Sequence, residues 1–161
     1  MKKSLNSDSI CAIIYRVNIV LDTSILFQAL YSTQGASHAV LKLIRSGDLK
    51  LALSIPVFEE YCDVLMRTSS FRQFDLSKED IQKTLDFIAF IGVKTDIHYL
   101  LRPNLRDEND NIFIELAFAS DSRYIITKNI KDFTYRPELK LEEIQIVSSS
   151  DFLKKWREQY A

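Results

Sequence analysis

Read as a pattern of apolar and polar positions, the chain shows its first clear element at Val17–Leu21. This run has little alternation, as expected of a strand covered on both faces. Apolar residues resume after Asp22, Thr23 and Ser24, and residues 24–30 read as the start of a helix that 32–35 breaks. Ala36, Ala39, Val40, Leu43 and Ile44 then recur at helical spacing, and Ser46, Gly47 and Asp48 end that second helix. Leu49–Leu53 predicts another short strand. Ser54 is a natural N-cap with Pro56 in the first turn, and the helix behind it carries Val57, Tyr61, Val64 and Leu65 on one face.

Residues 69–76 form a connection. Ser77, with Asp80 three residues on, predicts the next helix start. Ile81, Leu85, Ile88 and Ile91 form its stripe, and Gly92 closes it. Residues 93–101 divide between a short strand and a loop to Pro103. From Asp107 to about Ser120 the pattern is helical and apolar nearly all round, through Ile112, Phe113, Ile114, Leu116, Ala117 and Phe118, which predicts deep burial. Residues 124–127 and 144–147 read as strands, and Ser150 as the cap of a C-terminal amphipathic helix. Strands alternating with helical segments predict an α/β protein with a parallel sheet.

A length of 161 residues suits one domain, here 17–161 with the C-terminal helix, preceded by an N-terminal extension, 1–16. Gly and Pro number three each, which argues against long linkers, and no repeat is visible. The net charge of −1 carries no global signal for nucleic acid, although a local patch remains compatible with it. Cys11 and Cys62 lack metal spacing and read as buried, reduced thiols. The apolar run 10–15 is too short to span a membrane and lacks a small-residue cleavage site, so a cytoplasmic protein is expected.

The chemistry lies at the element ends. An apolar strand that stops at Asp22, followed by two hydroxyls, is poor packing and good ligand chemistry, because ligands of open α/β sheets lie beyond the carboxyl ends of strands. The plainer role for Asp22 is a helix N-cap. Glu59 aligns with Asp63 and Arg67 on a solvent face, whereas Glu60 lies at the edge of the apolar stripe and is the better site candidate. Asp107 reads as an N-cap with Asp110 at the third helical position, and Asp110 shares a side with Phe113 and Ala117, facing inward. Residues 126–133 repeat the first motif, with Thr127, Asn129 and Asp132 following an apolar run; the last two also suit a turn.

Right-handed crossovers bring such ends to one rim. Several carboxylates there would repel one another unless a divalent cation neutralised them, and oxygen-only ligation favours Mg²⁺ or Mn²⁺. An ion so held can activate water against a phosphodiester. His38 and His98 are isolated and read as structural or solvent-facing.

The segment 19–24, the stretch from Ser54 to Glu60 with Val64 and Leu65, the acidic segment 106–112 with its helix, and 126–133 together resemble the PIN domain family. The likeness runs from about residue 17 to 150, and is nearest to bacterial VapC-like toxin components of toxin–antitoxin pairs. The resemblance implies an α/β/α sandwich, a parallel sheet with helices on both faces. It also implies a Mg²⁺- or Mn²⁺-dependent ribonuclease, commonly a homodimer, inhibited by a small antitoxin. On it, Asp22, Glu60 and Asp110 match the first three acids, with Asp107 accompanying the third, and Thr23 or Ser24 supports the first. Many relatives have an aspartate where this chain has Asn129. Asp132 is then the expected fourth metal ligand, and Asn129 an accessory.

RNA contacts are expected from Lys128, Lys131 and Arg136 near the fourth motif and from Arg67 and Arg72 after the glutamate helix, the alternative being an ordinary solvated surface. A non-catalytic PIN module that binds RNA or protein is the competing reading. A metal-adhesion domain fits poorly because position 26 is Leu, and a phosphotransfer receiver because only one acid stands at the first strand.

Overall fold

The computed structural model describes residues 17–67, 75–100, 108–133 and 143–160. Five strands alternate with helices in the order β1 (Val17–Leu21), α1 (Thr23–Tyr31), α2 (Ala36–Ser46), β2 (Leu49–Leu53), α3 (Ile55–Leu65), α4 (Lys78–Ile91), β3 (Val93–Lys94), α5 (Asn111–Ala119), β4 (Tyr124–Ile126), β5 (Gln145–Val147) and α6 (Ser149–Tyr160). A short 3-10 turn, Glu108–Asp110, leads into α5. No helix among the described residues is long and apolar enough to cross a membrane.

The strands form one parallel sheet in the order β3-β2-β1-β4-β5. Consecutive residues of a strand face opposite sides. Ile19, Val20 and Leu21 are all buried, as are Tyr124, Ile125 and Ile126, so both faces of the central strands are covered. That is the α/β/α arrangement the family resemblance implies. The chain leaves β1 toward β2 on one side and returns as β4 on the other, which makes the carboxyl end of β1 the switch point of the sheet. Pairing is staggered there. On the β2 side Val17 to Ile19 pair with Leu49 to Leu51, whereas on the β4 side Ile19 to Leu21 pair with Tyr124 to Ile126.

Local chemistry sets the element ends. Ser54 Oγ accepts from Val57 N at 3.4 Å, with Pro56 in the first turn. Ser77 and Asp80 form a reciprocal capping box. Gly47 ends α2 in the left-handed region, at φ 82°. Gly92 ends α4 for a different reason than a left-handed cap, because its φ is −63°. A Cβ at Gly92 would lie 2.7 Å from Leu53 Cδ2 and 2.9 Å from the Ile88 carbonyl oxygen, so the close approach of α4 to β2 requires the missing side chain.

Three expectations are corrected. The α-helix α5 begins at Asn111, with a 3-10 turn, Glu108–Asp110, in place of its expected first turn; Asp110 keeps helical backbone angles, as its expected place inside the helix requires. Asp107 lies outside the described residues. Phe118 is 56% exposed, because the burial of α5 ends with Ala117 and its last turn runs out to solvent. α6 is capped by Ser148 rather than Ser150: Ser148 Oγ accepts from Asp151 N at 3.1 Å and donates to Asp151 Oδ2 at 2.7 Å, and only the residue outside the first turn can do both.

Candidate active site

Asp22 follows the last residue of β1, and its N–H donates to the Ile126 carbonyl at 2.9 Å. It occupies the N-cap position of α1, yet its side chain makes no capping bond. Instead Oδ2 accepts two hydroxyls at 2.6 Å, from Ser24 Oγ and from Thr127 Oγ1. Each hydroxyl is itself held by a backbone amide: Ser24 Oγ accepts from Lys128 N at 3.3 Å and Thr127 Oγ1 from Asn129 N at 3.0 Å. A carboxylate only 7% exposed is thereby stabilised by neutral, charge-assisted donors. Both bonds fall on Oδ2, and none reaches Oδ1 among the described residues. Of the two hydroxyls beside Asp22, Ser24 is thus the contact; Thr23 Oγ1 is buried without a hydrogen-bond partner among the described residues.

The other acids attach to elements that meet the same rim. Asp132 is half-buried in the turn after β4, its N–H donating to the Asn129 carbonyl at 3.0 Å. Asn129 is exposed and acts through its backbone. α5 finishes at the opposite, amino edge, where Asn18 Nδ2 donates to the Ser120 carbonyl at 2.8 Å, so half-buried Asp110 stands at its carboxyl-rim start. Half-buried Glu60 lies in α3, which begins at the carboxyl end of β2, and helix side chains lean back toward the N-terminus.

Among the described residues no group of three or more His, Cys, Asp or Glu is arranged to hold a metal ion, so Asp22, Glu60, Asp110 and Asp132 are not brought together as a ligand cluster. The donor chemistry at Asp22 nonetheless suits a hard divalent cation. The group is an anion held by hydroxyls, and no Lys or Arg pairs with it among the described residues. No imidazole competes: His38 Nδ1 lies 3.1 Å from the Ala29 carbonyl, and His98 is exposed.

Several polar residues escaped the periodicity reading. Asn111 and Glu115 are buried one turn apart on α5, Glu115 at 3% exposure. A glutamate inside a nine-residue apolar helix was the available signal. Tyr61 reads as stripe but also serves the site: its hydroxyl donates to the Leu21 carbonyl at 2.6 Å. Burial, and then the charge of Asp22, push its phenol well above the ordinary value, so it stays a donor.

Lys128, Lys131 and Arg67 are exposed, while Arg72 and Arg136 lie outside the described residues. Thr127 and Lys128 also line a cleft of about 310 Å³ shared with Gln28, Ser37, Ser149 and Ser150.

A doubly wound parallel sheet with a hydroxyl-held carboxylate at its switch point defines an α/β domain with a buried acid at the carboxyl edge of its central strand. Residues 18–131 match the PIN domain profile, and the chain belongs to the PIN domain family. PIN domains are generally nucleases. Among solved structures the fold is similar to that of VapBC2 from Rickettsia felis, bound to a DNA fragment from its promoter. That similarity has a TM-score of 0.55 and 20% identity over 81% of this chain and 98% of that one. No curated protein matches the sequence.

Proposed function

We propose that the chain is a Mg²⁺- or Mn²⁺-dependent endoribonuclease and the toxin member of a cytoplasmic toxin–antitoxin pair. The observation that carries this reading is Asp22: a buried carboxylate at the switch point, oriented by two hydroxyls and left without a cationic partner among the described residues. Asp22, Glu60, Asp110 and Asp132 would hold the ion. When bound, it supplies an activated water and neutralises charge developing on the leaving oxygen.

The chain's own residues prepare that chemistry. Thr127 and Ser24 fix the Asp22 carboxylate, so that Oδ1 is the oxygen left for a ligand. Asn129 keeps the loop after β4 closed through its amide to Thr127. Lys128 and Lys131 carry positive charge beside the site and suit backbone phosphates, with Arg67, Arg72 and Arg136 as further contacts. A small antitoxin and a second copy of the chain are the proposed partners. The fold likeness to VapBC2 supports the first.

Asp22→Asn tests the reading, because it keeps the volume and removes the charge. Its expected result is an intact fold with cleavage of single-stranded RNA in Mn²⁺ reduced to background. Undiminished cleavage would overturn the assignment. Asn129, where many relatives carry an acid, favours a second reading as a non-catalytic binding module. Calorimetric titration with millimolar Mn²⁺ separates the two, since the second predicts no metal binding by the unmodified chain.

A further inference from the structure

We propose that Tyr61 is a positioning residue, tying the helix that carries Glu60 to the peptide just before Asp22 and so setting the separation of the first two carboxylates. The inference rests on the metal-site reading for its functional meaning, but on geometry alone for its structural part.

Tyr61 is fully buried and follows Glu60 in the same turn of α3. Its hydroxyl donates to the Leu21 carbonyl at 2.6 Å. The direction of that carbonyl follows from the strand. Asp22 N–H points toward β4, bonding Ile126, and backbone groups of successive strand residues alternate sides. The Leu21 carbonyl therefore points toward β2. On that side β1–β2 pairing has already ended at Ile19, while on the β4 side it continues to Leu21. The phenol thus supplies a donor at the place where the neighbouring strand stops providing one.

The consequence reaches both acids. On one side the bond braces the last peptide of β1, from which Asp22 projects. On the other it fixes the rotation and height of the α3 turn bearing Glu60. A phenylalanine would fill the same core volume and leave the two elements packed but free to shift against each other. Serving only as packing would require the ring; serving as a positioning residue requires the hydroxyl.

Tyr61→Phe in the full chain tests this, with Ser54→Ala as the comparison, because Ser54 caps the same helix and makes no hydrogen bond to Leu21 among the described residues. Mn²⁺ affinity is read by calorimetry beside the melting temperature. Tyr61→Phe is expected to weaken Mn²⁺ binding by about tenfold or more, the range for residues that orient metal ligands. Ser54→Ala is expected to lower the melting temperature and leave affinity within about twofold. Unchanged affinity in Tyr61→Phe, or losses in both variants that follow their melting temperatures, would overturn the inference. If the unmodified chain binds no Mn²⁺, the metal reading fails and a metal-free measurement decides the rest. Side-chain carboxyl ¹³C shifts of Asp22 and Glu60 that move in Tyr61→Phe but not in Ser54→Ala uphold the positioning role, and shifts that stay in place in both overturn it.

Discussion

Asp22 and Thr127 are joined by a 2.6 Å hydrogen bond across 105 residues of sequence, and the two ends of that bond differ in how readily they are replaced. Thr127 is fully buried and uses its hydroxyl twice, toward Asp22 and from Asn129 N. Ser24 is half-buried, so water can take over part of its role. Thr127→Val is close in shape, and is expected to cost about 1–3 kcal/mol in urea unfolding by leaving buried polar groups unpaired. It should also lower Mn²⁺-dependent cleavage by roughly 10–100-fold, as for other groups that orient a ligand. Ser24→Ala should lose less on both measures; a larger loss in Ser24→Ala would contradict the burial argument. Cys62, expected to be buried, is half-buried; partial burial first, then Asp63, Glu59 and Asp86, hold its thiol above the ordinary value, so it stays protonated near neutral pH. At this scale Asp22 was legible because a charge at the end of an apolar strand breaks the pattern. Its partner was not, because nothing local marks which hydroxyl a distant strand will bring. Tyr61, Asn111 and Glu115 were hidden for a related reason. Periodicity tells which face is buried and is silent on polar groups that are buried with it.

The elements were the most legible level, since their ends are fixed by short-range chemistry. Ser77 and Asp80 show this: Ser77 N and Oγ both donate to Asp80 Oδ2, at 3.0 and 2.6 Å, and Asp80 N donates back to Ser77 Oγ at 3.1 Å. The Ser77 hydroxyl first, and then its backbone N–H, hold the Asp80 carboxyl below its ordinary value. A depressed folded-state pKa gives stability that is present above the unfolded pKa and fades as pH falls below it. The melting temperature of the unmodified chain should therefore exceed that of Asp80→Asn near neutrality, with the gap narrowing as pH falls through about 4 and below. A constant gap across that range would show that the carboxylate charge contributes nothing to the cap. Misread boundaries arose where two capping residues compete. Ser148 and Ser150 flank the start of α6, and the cap is the one that meets Asp151, which is Ser148. Before α5 a 3-10 turn, Glu108–Asp110, intervenes and moves the start of the α-helix to Asn111.

For the whole molecule, the alternation of strands and helices was enough to imply a parallel sheet. The strand order β3-β2-β1-β4-β5 was not written in any local pattern, and it is this order that seats β4 beside β1 and Thr127 beside Asp22. If the proposed metal site is correct, the ion is coupled to the stability of the entire fold, because the ligands come from separated elements. Free Mn²⁺ at a hundred times its dissociation constant should then add about 2.7 kcal/mol to unfolding. Differential scanning calorimetry should show that rise for the unmodified chain and none for Asp22→Asn, and equal rises in both would locate binding elsewhere.

The long bridge from Asp22 to Thr127 also orders events in time. Helix formation and the pairing of β1 with β2 need only the first third of the chain, but the hydroxyl that orients Asp22 arrives with β4. Contacts this distant in sequence form late, after the entropy of closing a long loop has been met. A polypeptide emerging from the ribosome therefore carries its first acid well before it can aim it, and gains an ordered site only when the strand after α5 has been made and docked.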